Sequence, residues 1–82
     1  MTAKEMFESL GFEDTNSDES TINYVIKNGC IQGYVRFYVL DKEYTVWTTD
    51  VCNKYLRYAP VPVEWHMAIH QQLRELGWFE GV

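Results

Sequence analysis

The residues best able to do chemistry in this chain are two histidines and two cysteines. His66 and His70 stand four apart in a stretch with helical periodicity, so both imidazoles can reach one metal ion. The hydrolytic form of that motif needs a glutamate directly after the first histidine, and here the position is Met67. The chain has no third histidine, and no spacing marks another ligand. Two surface histidines with no metal is the expected state. Cys30 and Cys52 are too few for a disulfide framework and lack zinc-site spacing. A reduced, intracellular chain is the simpler expectation, with one disulfide as the alternative. Cys30 follows an Asn28-Gly29 turn signal, and nothing in the pattern gives either thiol a base or an oxyanion hole. Serines occur only at positions 9, 17 and 20, and no phosphate-binding glycine loop or dinucleotide fingerprint is present. The twelve acids contain no pair singled out by an apolar setting. The expectation is a protein that is not an enzyme and needs no metal or cofactor.

The elements that would position these residues are easier to read. Thr2 and Glu5 have capping-box spacing. Ala3, Met6, Phe7 and Leu10 then fall on one helical stripe, and Gly11-Phe12 has the form of a helix stop. A helix over about residues 2–10 is predicted. Glu13 to Ser20 holds four acids, no base and no large apolar side chain, which reads as a solvated connection. Thr21 to Thr49 reads as three antiparallel strands. Asn28-Gly29 is a strong hairpin signal, because both residues tolerate positive φ. A two-residue loop there sets Ile26 opposite Ile31, Tyr24 opposite Gly33 and Ile22 opposite Val35. A second turn at Asp41-Lys42 sets Phe37 opposite Val46 and Val35 opposite Thr48. Both turns place the large apolar residues on one face.

The same registers send Asn23, Val25, Gln32, Tyr34, Arg36, Tyr38, Thr45, Trp47 and Thr49 to the opposite face. Arg36 is expected opposite Trp47, where a cation–π contact contributes ~0.5–1 kcal/mol when exposed. Tyr, Trp and Arg are enriched at binding hot spots, so Tyr34, Arg36, Tyr38 and Trp47 are the candidate binding residues. Three occupants of that face stand open. One is a protein partner or a second copy of the chain. Another is the chain's own residues 50–62, with Tyr55, Leu56 and Tyr58 lying over the sheet or forming a short extra strand. The third is stacked nucleic-acid bases.

Ala59-Pro60-Val61-Pro62 ends any such strand. Pro62 suits the first turn of a second helix, where Glu64 complements the dipole. Trp65, Ile69, Leu73 and Leu76, with Ala68, form its core stripe, and Gly77-Trp78 repeats the Gly11-Phe12 stop. The expected fold is a single α+β domain over residues 1–82. It is a two-layer α-β-β-β-α unit, with a three-stranded antiparallel meander sheet packed against two helices.

Composition agrees with one small core: 46% of residues are apolar and 16% aromatic. A chain of 82 residues buries only about 60% of its unfolded surface, so its margin of stability is thin. No apolar run is long enough to span a bilayer, and the opening residues lack a signal-peptide pattern. A net charge of −5 disfavours nonspecific binding to nucleic acid or anionic membranes. The α-β-β-β-α order resembles the double-stranded-RNA-binding domain in topology. That domain's lysine cluster at the start of its second helix has no counterpart in Pro62-Val63-Glu64-Trp65-His66.

Two stretches carry a more specific resemblance. Thr2-Ala3-Lys4-Glu5-Met6-Phe7-Glu8-Ser9-Leu10-Gly11-Phe12 is similar to the TAKEMFEKLGY opening of a group of small, uncharacterised proteins from phages and prophages of Gram-positive bacteria. Ile69-His70-Gln71-Gln72-Leu73-Arg74-Glu75-Leu76-Gly77-Trp78 is similar to their INKQIEELGW close. The chain departs from that pattern at Val61-Pro62-Val63-Glu64, where the group has a Thr or Ser cap, and in the stretch from Cys52 to Tyr58. The resemblance implies a mobile-element origin and a bacterial cytoplasm as the setting. It implies no activity. The resulting expectation is a non-enzymatic accessory protein that binds a protein partner or itself through the aromatic face. Nucleic-acid binding and inhibition of a host nucleic-acid-handling enzyme are the alternatives.

Overall fold

A computed structural model describes residues 1–52 and 60–79. Helix α1 spans Ala3–Ser9, strands β1 to β4 span Glu13–Asp14, Thr21–Asn28, Ile31–Tyr38 and Glu43–Asp50, and helix α2 spans Val63–Glu75. The strands form one antiparallel sheet in the order β1-β2-β3-β4. The two helices pack against one another beside it, giving the expected α+β fold with one short strand added. The proposed strand or cover at residues 55–58 lies outside the described residues.

Both helices end, and α1 begins, as their sequences dictate. Thr2 and Glu5 close a reciprocal capping box, with Glu5 N–H donating to Thr2 Oγ1 at 3.1 Å and Thr2 N–H to Glu5 Oε1 at 2.9 Å. At the other end of α1, Phe12 N–H donates to the Phe7 carbonyl at 3.0 Å and Gly11 N–H to that of Glu8 at 3.0 Å. Trp78 and Gly77 repeat the arrangement on Leu73 and Arg74. Gly11 and Gly77 take φ of +102° and +73°, which this helix stop requires and a side chain would resist. The stop folds Phe12 back into the core, at 2% exposure. Pro62 stands at the N-cap of α2 rather than in its first turn, its backbone extended, and has no side-chain hydrogen bond to offer.

The core lies between the helices and one face of the sheet. Ala3 and Phe7 from α1, Phe12, Tyr24, Ile26, Val35 and Phe37, and Trp65, Ala68 and Ile69 from α2 form one buried cluster. Phe7 stacks on Tyr24 with ring centroids 4.2 Å apart and meets Phe12 edge-on at 5.3 Å. Gln72 joins the stripe of α2 at 6% exposure, and its Oε1 accepts a hydrogen bond from Tyr24 Oη at 3.0 Å. No described helix is long and apolar enough to cross a membrane.

Three expectations change. Both hairpin registers shift by two residues. Ile26 faces Gly33 and Tyr24 faces Val35, because the first loop is Gly29-Cys30 rather than Asn28-Gly29. Only Gly29 there takes positive φ, at +61°, the pattern of a type II′ turn. On the other side Val35 faces Val46 and Phe37 faces Tyr44, because β3 and β4 are joined by residues 39–42 with Lys42 at φ +55°. A two-residue shift preserves the alternation of faces. The apolar face therefore keeps its members and only the cross-strand partners change.

Glu13 to Ser20 is not wholly a free connection. Glu13 and Asp14 pair with Val25 and Tyr24 as a fourth strand. Beyond them, Asp18 Oδ1 accepts hydrogen bonds from Ser20 N, Ser20 Oγ and Thr21 N at 2.8 to 2.9 Å. These bonds hold the Asp18 carboxyl below its usual value, the Ser20 amide contributing most.

Cys30 and Cys52 are not reduced: they form a disulfide. The corrected β3–β4 register sets Ile31 opposite Asp50, which leaves the two cysteines side by side just beyond the ladder. Their Cα atoms are 5.1 Å apart, within the usual range for a disulfide.

Candidate binding face

The sheet face turned away from the helices carries Tyr34, Arg36 and Tyr38 on β3 and Trp47 on β4. Alternate residues of a strand share a face, so the three β3 residues stand in one row along the strand. With the corrected register Tyr34, not Arg36, lies opposite Trp47. Their rings stack at 5.7 Å between centroids, 25° from parallel. Arg36 lies opposite Thr45 and places its Cζ 4.9 Å from the centroid of Tyr34. The expected cation–π contact exists on a different ring. All four candidate residues are thus adjacent, with Trp47 36% exposed and the other three half-buried.

Arg36 is held from its other side as well. Its Nε donates to Asn23 Oδ1 at 3.3 Å. Asn23 is itself 6% exposed on this nominally open face, because the segment after β1 crosses it. Asn23 Nδ2 donates to Thr15 Oγ1 at 3.1 Å, and its backbone N–H donates to Ser17 Oγ at 3.0 Å. Thr15 N–H in turn donates to the Asn23 carbonyl at 2.9 Å. The acidic segment therefore buttresses the arginine. Hydrogen bonding with Thr45, and then with Arg36, holds the Tyr38 phenol below the ordinary tyrosine value.

Beside Arg36 the surface dips into a hollow of about 250 Å³ lined by Asn16, Asp18, Thr21, Asn23, Arg36 and Tyr38. A second, of about 330 Å³, is lined by Gly11, Glu13, Thr15, Val25 and Lys27. Neither lining includes a histidine or a cysteine. His66 and His70 are exposed on α2 with ring centroids 6.3 Å apart, and His70 lies 5.1 Å from the ring of Phe79. Among the described residues no third ligating side chain joins them.

One cluster escaped the sequence reading. Cys30, Asp50 and Cys52 place their ligand atoms within 4.8 Å of one another. The expected register had put Cys30 opposite residue 53, which hid the relation to Asp50. Comparison with protein-family models, with curated proteins and with solved structures finds no match to this chain.

Proposed function

We propose that the protein is a non-enzymatic binding module, an accessory protein of the kind phages and prophages encode. Its working surface is the Tyr34–Arg36–Tyr38–Trp47 face. The observation that carries this reading is the state of Arg36. Its guanidinium is stacked on Tyr34 and tied through Nε to Asn23, while no carboxylate pairs with it among the described residues. A pre-organised arginine loses little freedom when it captures a carboxylate through its remaining N–H groups. The Tyr34–Trp47 stack beside it offers an apolar platform of hot-spot residue types. The partner surface that fits is a carboxylate next to a flat apolar side chain, on another protein or on a second copy.

Nucleic acid fits less well. Of the four residues only Arg36 is basic, the hollow beside it includes Asp18, and the chain's net charge is −5. A disulfide persists in oxidising compartments. In the bacterial cytoplasm that the phage resemblance implies, Cys30 and Cys52 would stand as two thiols.

Sedimentation and affinity capture from a bacterial lysate, on wild type and on Arg36→Ala and Trp47→Ala, test the reading. Expected is a dimer or a captured protein that both substitutions abolish. A wild-type monomer that captures nothing overturns it. So does a labelled RNA bound in a salt-dependent way and lost in Arg36→Ala, which instead assigns the face to nucleic acid.

A further inference from the structure

We propose that Cys30, Asp50 and Cys52, once their disulfide is reduced, form a binding site for a soft divalent cation of the zinc and cadmium class. The site stands at the end of the β3–β4 ladder. Ile31 faces Asp50 there, and Val51 N–H donates to the Cys30 carbonyl at 2.8 Å. These contacts join the two strand ends in addition to the S–S bond. The two Sγ atoms are bonded to one another in the disulfide, and a carboxylate oxygen of Asp50 lies within 4.8 Å of both. Metal–sulfur bonds of about 2.3 Å in a tetrahedron need the sulfurs about 3.8 Å apart. A Cα separation of 5.1 Å permits that with side-chain rotation alone.

Asp50 is oriented for the role. Its Oδ1 accepts a hydrogen bond from Cys52 N–H at 3.0 Å, which fixes the carboxylate and leaves its second oxygen for the ion. Two thiolates and one carboxylate make a ligand set with three negative charges, and a water completes four-coordination. Thiolate ligands select zinc or cadmium over magnesium or calcium. Cys52 is exposed, so reductant and ion both reach it.

The chemistry balances with a dithiol reductant. A reductant thiolate attacks one sulfur, the S–S bond breaks, and a mixed disulfide forms. The reductant's second thiol displaces it, leaving as the cyclic disulfide. Two electrons and two protons pass to Cys30 and Cys52. Binding of the cation then displaces two thiol protons to solvent. Oxidised protein has no thiolate to offer, so the redox state of the pair gates the site.

The test uses the full chain, reduced with a phosphine, desalted without oxygen and titrated with Cd²⁺. Thiolate-to-cadmium charge-transfer absorption in the ultraviolet reports ligation by sulfur only. Expected are one ion per chain, no band in the oxidised protein, and affinity weakened about tenfold or more in Asp50→Asn. That substitution keeps an oxygen for the Cys52 amide. No band in the reduced chain overturns the proposal, as does one ion per two chains or unchanged affinity in Asp50→Asn. Far-UV circular dichroism is recorded at each point. An ion held by a chain that stays unfolded also overturns it.

Discussion

Tyr34 and Trp47 face one another across β3 and β4 with ring centroids 5.7 Å apart, and Arg36 covers the same tyrosine ring at 4.9 Å. The tyrosine therefore touches a cation and an indole at once. This pairing depends on the register, since with β4 moved by two residues Trp47 would meet Arg36 instead. Cross-strand aromatic pairs contribute up to about 1 kcal/mol. Trp47→Ala is expected to lower stability by about that amount, read as a small shift in the urea midpoint, while abolishing partner capture. Trp47 is also the most accessible described tryptophan, against 4% exposure for Trp65. Acrylamide quenching should lose its most accessible component in the same variant.

At Gly33 the sheet backbone lies directly against the Trp65 ring of α2. A Cβ there would run into the Trp47 carbonyl oxygen, lie 3.3 Å from Thr48 Cα and press on the Trp65 ring at 3.2 Å. Two of these neighbours are backbone and cannot step aside. Gly33→Ala is expected to destabilise the fold by about 3 kcal/mol. Gly29→Ala has nothing within 4 Å to meet, so it reports the cost of positive φ without a clash. Denaturant melts of the two variants separate crowding from backbone strain, and Gly33→Ala should be the less stable.

The two alanine variants also mark where sequence was informative. The helices were legible because their caps, stripes and glycine stops are local devices, each contained in about a dozen residues. The faces of the sheet were legible because alternation has period two and survives an even shift in register. The registers themselves were not, because they rest on which loop residue takes positive φ, and both Asn28-Gly29 and Gly29-Cys30 are acceptable turns. The pairing of Glu13 and Asp14 carries no propensity signal; Phe12, anchored in the core, delivers them to the sheet edge. Gln72 was passed over because a glutamine on an apolar stripe declares itself only when Tyr24 is known to meet it. The disulfide stands in the sequence only as the alternative to two thiols, because two cysteines make no framework, and the cluster at Asp50 is hidden by the register. Tyr34, Arg36, Tyr38 and Trp47 share one face as alternation requires, but with other neighbours than the expected register gives them.

Tyr24 ties the sheet to α2 through its hydroxyl and carries a pKa pushed up to about 12, first by burial and then by the carboxylates of Asp14, Glu75 and Glu8. The folded state holds this proton more tightly than the unfolded chain, whose tyrosines titrate near 10. The contribution is fully present below about pH 10 and is lost as pH rises from there through about 12. Tyr24→Phe leaves Gln72 Oε1 buried without its donor, a loss of about 1–2 kcal/mol at neutral pH. Measured between pH 9 and pH 12 as a series of melts, the variant's stability should fall less steeply than that of wild type.

Asp18 gives the opposite slope at the acid end. Its carboxylate accepts bonds from Ser20 and Thr21, so its folded pKa lies below that of a free aspartate. Its contribution is present above that value and is lost as pH falls through the lower folded pKa. Asp18→Asn keeps an acceptor oxygen but cannot titrate. The acid limb of its stability profile should be shallower than that of wild type, with the two curves offset at neutral pH. Identical limbs would show that the Ser17–Thr21 segment contributes nothing to acid denaturation.

The Cys30–Cys52 bond closes a loop with a sequence separation of 22. A cross-link over that length removes enough freedom from the unfolded chain to stabilise the fold by about 3 kcal/mol. Cys30→Ser with Cys52→Ser should therefore lower the urea midpoint substantially, and reduction of the wild type should do the same. The cross-link also limits expansion of the unfolded chain, so removing it should raise the dependence on denaturant along with lowering the midpoint. The loop it closes contains β3, β4 and the whole Tyr34–Arg36–Tyr38–Trp47 face. Yet that face is also held by the β2–β3 ladder and by Asn23, neither of which needs the sulfurs. Amide exchange should accordingly rise at Asp50 and Val51 in the double variant and stay low at Tyr34 and Arg36. Equal loss of protection along β3 would mean that the disulfide, and not the sheet, organises the Tyr34–Arg36–Tyr38–Trp47 face.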